Sequence, residues 1–248
     1  MSSPEDRRAE LRDNLAAVRS RIEQGCVAAG RSGDEITLIA VTKFFPVTDA
    51  VLLAELGVTD LGENRDQDAS AKSAELAALT DIAVRWHFIG RLQTNKARSV
   101  AHYADLVHSV DRTGLADALE DGARRAERPA LDVLVQLSLD SDAEPGIGSG
   151  SRARGGSAAD ELMRLADRVA ASDVLRLAGI MAIAPLDGDA DQAFSRLAEV
   201  AQRLRESYPA AGIVSAGMSD DLEAALRHGA THVRIGTALL GRREPQFR

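Results

Sequence analysis

The chain has 248 residues, 45% hydrophobic and 27% charged but only 3% aromatic, so it is an ordinary globular composition with an aliphatic core. A formal net charge of -8 without a long basic run argues against nucleic acid as the main partner. No stretch approaches the roughly 18 apolar residues that span a bilayer. The single cysteine, Cys26, excludes an intrachain disulfide and fits a reducing, cytoplasmic setting. The mixed-charge start "MSSPEDRRAELRDN" lacks the apolar centre of a signal peptide.

The first element is a helix. Ser3 is placed to cap it, Pro4 suits its first turn, and Leu11, Leu15, Val18 and Ile22 recur at helical spacing. From Glu35 onward, short apolar runs occur at Ile36–Thr42, Asp60–Glu63, Arg85–Gly90, Leu106–Asp111, Leu131–Asp140, Leu175–Ala184, Ile213–Met218 and Val233–Leu239. Segments of helical periodicity such as "DQAFSRLAEVAQRLRESY" separate them. Strict alternation implies a parallel sheet covered by helices, and about eight units in this length fit a closed (β/α)8 TIM barrel with one extra N-terminal helix. An open doubly wound sheet is the second choice, but no GxGxxG follows an early strand. No Pro/Gly-rich linker divides the chain, so residues 1–248 read as one domain. The Gly-, Ser- and Arg-rich stretch Ser141–Ser157 reads as a disordered loop or as a mobile lid over the barrel mouth.

In such barrels the chemistry lies at the C-terminal ends of the strands. Falling there are Lys43, Glu63, Asn64, Gly90, Ser109, Asp111, Asp140, Met181, Ser215, Gly236 and Thr237. A lysine amine in a mostly apolar mouth loses hydration, which favours the neutral form that condenses with a carbonyl. A lysine snorkelling into solvent explains the same position equally well. At the far end, Ser215, Ser219, Gly236 and Thr237 offer hydroxyls and open backbone to a phosphate. Ser219 reads as well as a plain N-cap, and Asp220 and Asp221 would repel an anion unless turned away. His87 reads as a satisfied core or rim histidine, and His102, His108, His228 and His232 lack metal-ligand spacing. Glu63 is read as a general base or as a salt-bridge partner.

Read together, "AVTK" (Ala40–Lys43), "LGEN" (Leu61–Asn64), "WHFIGRLQTNK" (Trp86–Lys96), "HSVDR" (His108–Arg112), "GIMAIAP" (Gly179–Pro185) and "GMSDDLEAALRHGATHVRIGTALLG" (Gly217–Gly241) resemble the pyridoxal-phosphate homeostasis protein family. The resemblance implies a fold-type III barrel like the N-terminal domain of alanine racemase, carrying pyridoxal 5'-phosphate (PLP) as a Schiff base on Lys43. It implies Arg234 facing the pyridine nitrogen, phosphate contacts from Ser215, Ser219, Gly236 and Thr237, and Asn64, Ile89 and Met181 lining the pocket. The chain departs from the family pattern at Arg65, Asp66 and Ala216 and over Ser141–Ser157. A cationic arginine disfavours the protonated ring nitrogen that amino-acid chemistry uses as an electron sink. Racemases also need a tyrosine from a second domain of a partner subunit, and Tyr103 and Tyr208 both fall on predicted barrel helices. The expectation is therefore a monomeric, non-enzymatic carrier without catalytic residues, with PLP-dependent apo-enzymes as recipients. The alternatives are a weak amino-acid racemase and a cofactor-free Schiff-base aldolase.

Overall fold

The alternation closes into a barrel. The computed structural model describes residues 3–128, 130–139, 155–185 and 188–242. Its strands are β1 (Thr37–Val41), β2 (Asp60–Glu63), β3 (Arg85–Phe88), β4 (Leu106–Val110), β5 (Leu131–Gln136), β6 (Leu175–Met181), β7 (Ile213–Ser215) and β8 (His232–Ile235). They pair in sequence order, all parallel, and β8 returns to β1 with Thr37 opposite His232 and Ala40 opposite Ile235. The outer layer consists of α2 (Val47–Glu55), α3 (Asp66–Leu79), α4 (Ala97–Tyr103), α5 (Thr113–Arg125), α6 (Ala159–Ala170), α7 (Ala190–Ser207) and α8 (Leu222–Arg227), with a final turn α9 (Thr237–Leu240).

Helices cover the outside of this sheet and side chains fill its lumen, so strand residues are buried on both faces and read as continuous apolar runs. Two large aliphatic clusters lie between strands and helices, built around Val107, Val133 and Leu197 and around Ala40, Leu53 and Leu61. A smaller third cluster joins Leu106, Leu134, Ala178 and Met181.

The extra helix α1 (Pro4–Ala28) starts as its sequence suggests: Ser3 and Asp6 form a reciprocal capping box and Pro4 occupies the first turn. Its apolar stripe Leu11, Leu15, Val18 and Ile22 is buried. Polar residues flanking that stripe hold the ends of the last two strand–helix units. Arg21 grips Glu223 with two nitrogens and donates to the Ser219 carbonyl at 2.6 Å. Asn14 donates to the Leu239 carbonyl and Arg7 to that of Leu240, both at 3.0 Å. The extra helix is thus a strap across the closing seam of the barrel.

The run Val233–Leu239 is shorter as a strand than its apolarity suggests. At Gly236 (φ -111°, ψ -80°) the chain leaves the sheet and turns into α9, whose Leu239 and Leu240 are buried among the residues of α1's own cluster. Apolarity there is shared by a strand and a helical turn, which periodicity cannot separate. The fifth run stops pairing at Gln136, after which Leu137 makes one isolated bridge to Ser157. Asp140 and most of the Ser141–Ser157 stretch, with the readings made of them, lie outside the described residues.

Candidate functional site

Lys43 stands where the first strand ends. After Val41 the chain turns sharply: the Phe45 amide bonds the Thr42 carbonyl at 3.1 Å and Phe44 takes φ 71°, before Pro46 opens α2. A left-handed phenylalanine is uncommon and marks a turn held by its surroundings. Arg65 lies over the Phe44 ring at 5.1 Å. The β1–β2 register sets Val41 opposite Gly62 and the Thr42 amide still bonds the Gly62 carbonyl at 3.0 Å, so Lys43 leaves the sheet beside the end of β2 that leads to Asn64. On the other side, a methyl group placed on Gly236 would lie 3.5 Å from both the Val41 Cβ and its carbonyl oxygen. Lys43 is only two residues beyond, at most about 7 Å of chain. The lysine and the Gly236–Thr237 turn therefore share one rim.

The chain contains three lysines: Lys43, Lys72 and Lys96. Lys72, on α3, is buried against Glu63 and donates to the Thr42 carbonyl at 2.8 Å. Thr42 Oγ1 in turn donates to Glu63 Oε1 at 2.8 Å. Glu63 is thus a buried salt-bridge partner that fixes the residue just before Lys43. Lys96 pairs at 3.8 Å with Asp66. Among the described residues no ion pair or hydrogen bond engages Lys43, which is only partly buried.

At the far strands, Arg234 is buried on β8. Its Nη1 donates to Ser215 Oγ at 2.7 Å and its Nη2 to the Ala182 carbonyl at 3.0 Å. Burial lowers its pKa to about 10, against the opposing pull of Asp221, so it remains a cation at neutral pH. Ser215 is fully buried, beside Met181 in the β6–β7 register. Ser219 is partly exposed and stands two residues before Asp221, which occupies the N-cap position of α8. The Asp221 carboxylate accepts from the Met218 amide at 2.6 Å and is thereby turned back on its own loop. Gly217 (φ 90°) makes that loop possible, since a Cβ there would lie 2.7 Å from Ala225 Cβ. Thr237 is exposed at the start of α9, where the first amides have no intrahelical acceptor.

At the rim of β2 and β3, Gly90 packs directly on Asn64: a Cβ on Gly90 would lie 2.2 Å from the Asn64 carbonyl oxygen. Asn64 Oδ1 and, on β4, Ser109 Oγ are buried without a hydrogen-bond partner. A cleft of about 960 Å³ opens beside Asn64, with Arg65, Arg91, Lys96 and Arg112 among its lining. The two tyrosines sit at the ends of α4 and α7. Tyr208 bonds Asp167, and the Tyr103 hydroxyl is buried near Asp66 and Glu63, burial and those charges pushing its ionisation upward.

The lumen holds polar groups that residue types alone did not flag as a unit. His87 bonds Asp60 at 2.8 Å and His108 at 2.9 Å, and His108 bonds Ser215 at 2.9 Å. Their signal is parity: each occupies an inward position of an otherwise apolar strand, where a buried polar residue is informative. Burial, reinforced by the nearby Arg234 cation, drives the His108 pKa well below 6.5, and burial takes His232 to about 4. Both rings are neutral when folded but take up protons when unfolded as pH falls through 6.5. The unfolded state then binds more protons, so stability is present above that pH and drains away between about 6.5 and 4. Urea denaturation is expected to show His232 alone removing about 2 kcal/mol by pH 5. A stability that stays flat from pH 7 to 5 would contradict neutral buried rings.

The alanine racemase N-terminal domain family model matches residues 8–244. The pyridoxal phosphate homeostasis protein of Mycobacterium tuberculosis (strain ATCC 25618 / H37Rv) is 47% identical, with 98% of this chain and 96% of the relative covered. That of Escherichia coli K12 is 38% identical over 95% of this chain and 97% of its own. Among solved structures, PipY of Synechococcus elongatus PCC7942 with PLP bound is 30% identical and has a TM-score of 0.77, covering 93% of this chain and 100% of PipY. Matches that span both chains almost end to end leave no part of the barrel outside the likeness, and this chain belongs to the pyridoxal phosphate homeostasis proteins, built on the alanine racemase N-terminal barrel.

Proposed function

We propose that this chain holds pyridoxal 5'-phosphate as a Schiff base on Lys43 and surrenders it to PLP-dependent apo-enzymes, without a turnover of its own. The observation that carries this reading is the isolation of Lys43: it alone of three lysines stands at the strand ends with no partner among the described residues. The relatives are named for the homeostasis of this cofactor, and PipY was solved with it.

The residues suit the group. When bound, PLP supplies an aldehyde that an amine can capture and a phosphate that serves as a handle. Lys43 provides the amine. Gly236, Thr237 and Ser219 provide amides and hydroxyls for the phosphate on a turn strapped by α1, with Asp221 turned aside. Arg234 provides a fixed donor for the ring nitrogen, and Asn64, whose buried Oδ1 lacks a partner, and Met181 provide the walls. Ser215 gives its hydroxyl to Arg234 and His108, so in this reading it holds the arginine rather than the phosphate. An arginine that only donates leaves the ring a poor electron sink, which favours a carrier over an enzyme. Tyr208 is bonded to Asp167 and the Tyr103 hydroxyl is buried with its ionisation pushed upward, so neither tyrosine favours the racemase reading. We assign the functional unit to a monomer.

The test is a titration of the purified chain with PLP, followed by borohydride reduction and peptide mapping. A visible band and a reduced adduct on the peptide bearing Lys43 are expected. An adduct on Lys72 or Lys96, or no adduct, rejects the reading.

A further inference from the structure

Five side chains make one unbroken hydrogen-bonded line across the barrel lumen. Arg234 Nη1 lies 2.7 Å from Ser215 Oγ, Ser215 Oγ 2.9 Å from His108 Nδ1, His108 Nε2 2.9 Å from His87 Nδ1, and His87 Nε2 2.8 Å from Asp60 Oδ1. Arg234 is near the C-terminal end of β8, whereas Asp60 is the first residue of β2. The line therefore runs from the cofactor rim to the barrel floor, where Asp60 opens onto a cavity of about 680 Å³.

Counting protons gives the line a direction. A guanidinium can only donate and an ionised carboxylate can only accept. Ser215 Oγ accepts from Arg234, so its single proton goes to His108 Nδ1; His108 then carries its proton on Nε2, His87 Nδ1 is the bare acceptor, and His87 donates to Asp60 from Nε2. Were the rings reversed, His108 and Arg234 would both donate to one hydroxyl, while the serine proton lay buried without an acceptor.

We propose that Asp60 is a positioning residue for Arg234, fixing the tautomers of His87 and His108 from the opposite face of the barrel so that Ser215 is a pure acceptor for the guanidinium. The part of this that concerns the cofactor rests on the reading that Arg234 serves PLP. A carboxylate that locks a histidine tautomer for a distant group is a known use of such pairs. The charges facing the line are few. Arg85 lies 3.8 Å from Asp60 and is drawn off at 3.7 Å by Asp132, which Arg176 also holds. His232 stands with its ring 6.4 Å from that of His87, Asp221 acts on Arg234, and Arg19, Glu23 and Asp34 line the floor cavity.

The experiment has two arms. In the first, ¹⁵N NMR of the imidazoles in the chain without PLP is expected to show a single Nε2–H tautomer for both His87 and His108, and Asp60→Asn is expected to convert His108 to a mixture containing Nδ1–H. Wild type with Nδ1–H on His108, or an Asp60→Asn variant with unchanged tautomers, overturns the proposal; the wild-type measurement decides even if the variant does not fold. In the second, the visible band of added PLP is followed against pH. Asp60→Asn and Ser215→Ala are each expected to move its midpoint by about half a unit or more, and the double variant by no more than either alone. Additive shifts, or none, overturn the link to Arg234. Absence of any band in wild type instead defeats the cofactor reading and leaves the proton direction to the NMR result.

Discussion

Lys43→Ala is expected to abolish the visible band and the borohydride-trapped adduct completely. Neither remaining lysine can substitute. The Lys72 nitrogen is buried between Glu63 and the Thr42 carbonyl, and Lys96 sits beside Asp66 on the helix side of the β2 rim. The Gly217–Ser219 turn, proposed to hold the phosphate, does not depend on Lys43: α1 holds it through Arg21, and Gly217 shapes it. The variant should therefore still bind PLP, but without a covalent bond and more weakly. Thermal protection separates the two contributions. At a PLP concentration 100 times the wild-type Kd, ligand stabilises the folded chain by about 2.7 kcal/mol, and a tenfold weaker site retains about 1.4 kcal/mol. A Lys43→Ala protein with the full wild-type band would move the Schiff base elsewhere.

The legible and illegible parts of this sequence differ in physical kind. The strands were readable because a parallel barrel buries both strand faces, so runs such as "LVHSV" are apolar regardless of which residues they later touch. The start of α1 was readable because Ser3, Pro4 and Asp6 act within one turn of each other. Lys43 was visible as the polar end of a buried strand. Lys72 was not: "DQDASAKSAEL" looks like a solvated helix, and only the fold reveals that its lysine turns inward to Glu63. The line from Asp60 to Arg234 escaped for a related reason. Its members lie on strands β2, β3, β4, β7 and β8, and their connection depends on closure of the barrel rather than on any local spacing. Contacts within a turn are written locally, whereas pairings across the lumen appear only once register is known.

Replacing Lys72 with methionine is expected to destabilise the chain by about 3–5 kcal/mol, because it strands a charge rather than deleting a pair. Glu63 is almost fully buried, and its Oε2 already lacks a partner. Without the ammonium, its carboxylate keeps only the 2.8 Å bond from Thr42, and the Thr42 carbonyl loses the donor that Lys72 supplied. If the stranded charge is the cause, Glu63→Leu combined with Lys72→Met should recover most of the loss, since an apolar pair of similar volume fills the same space without an ion to solvate. Urea denaturation of the single and double variants decides this. A double variant no more stable than the single one would mean that packing, not charge, is lost. The same pair carries a consequence for the rim: Thr42 immediately precedes Lys43, so loosening it should lower the yield of the Lys43 adduct even in molecules that remain folded. A lower adduct yield in folded molecules would show that this buried ion pair, next to the residue before Lys43, serves the position of the lysine as well as the stability of the barrel.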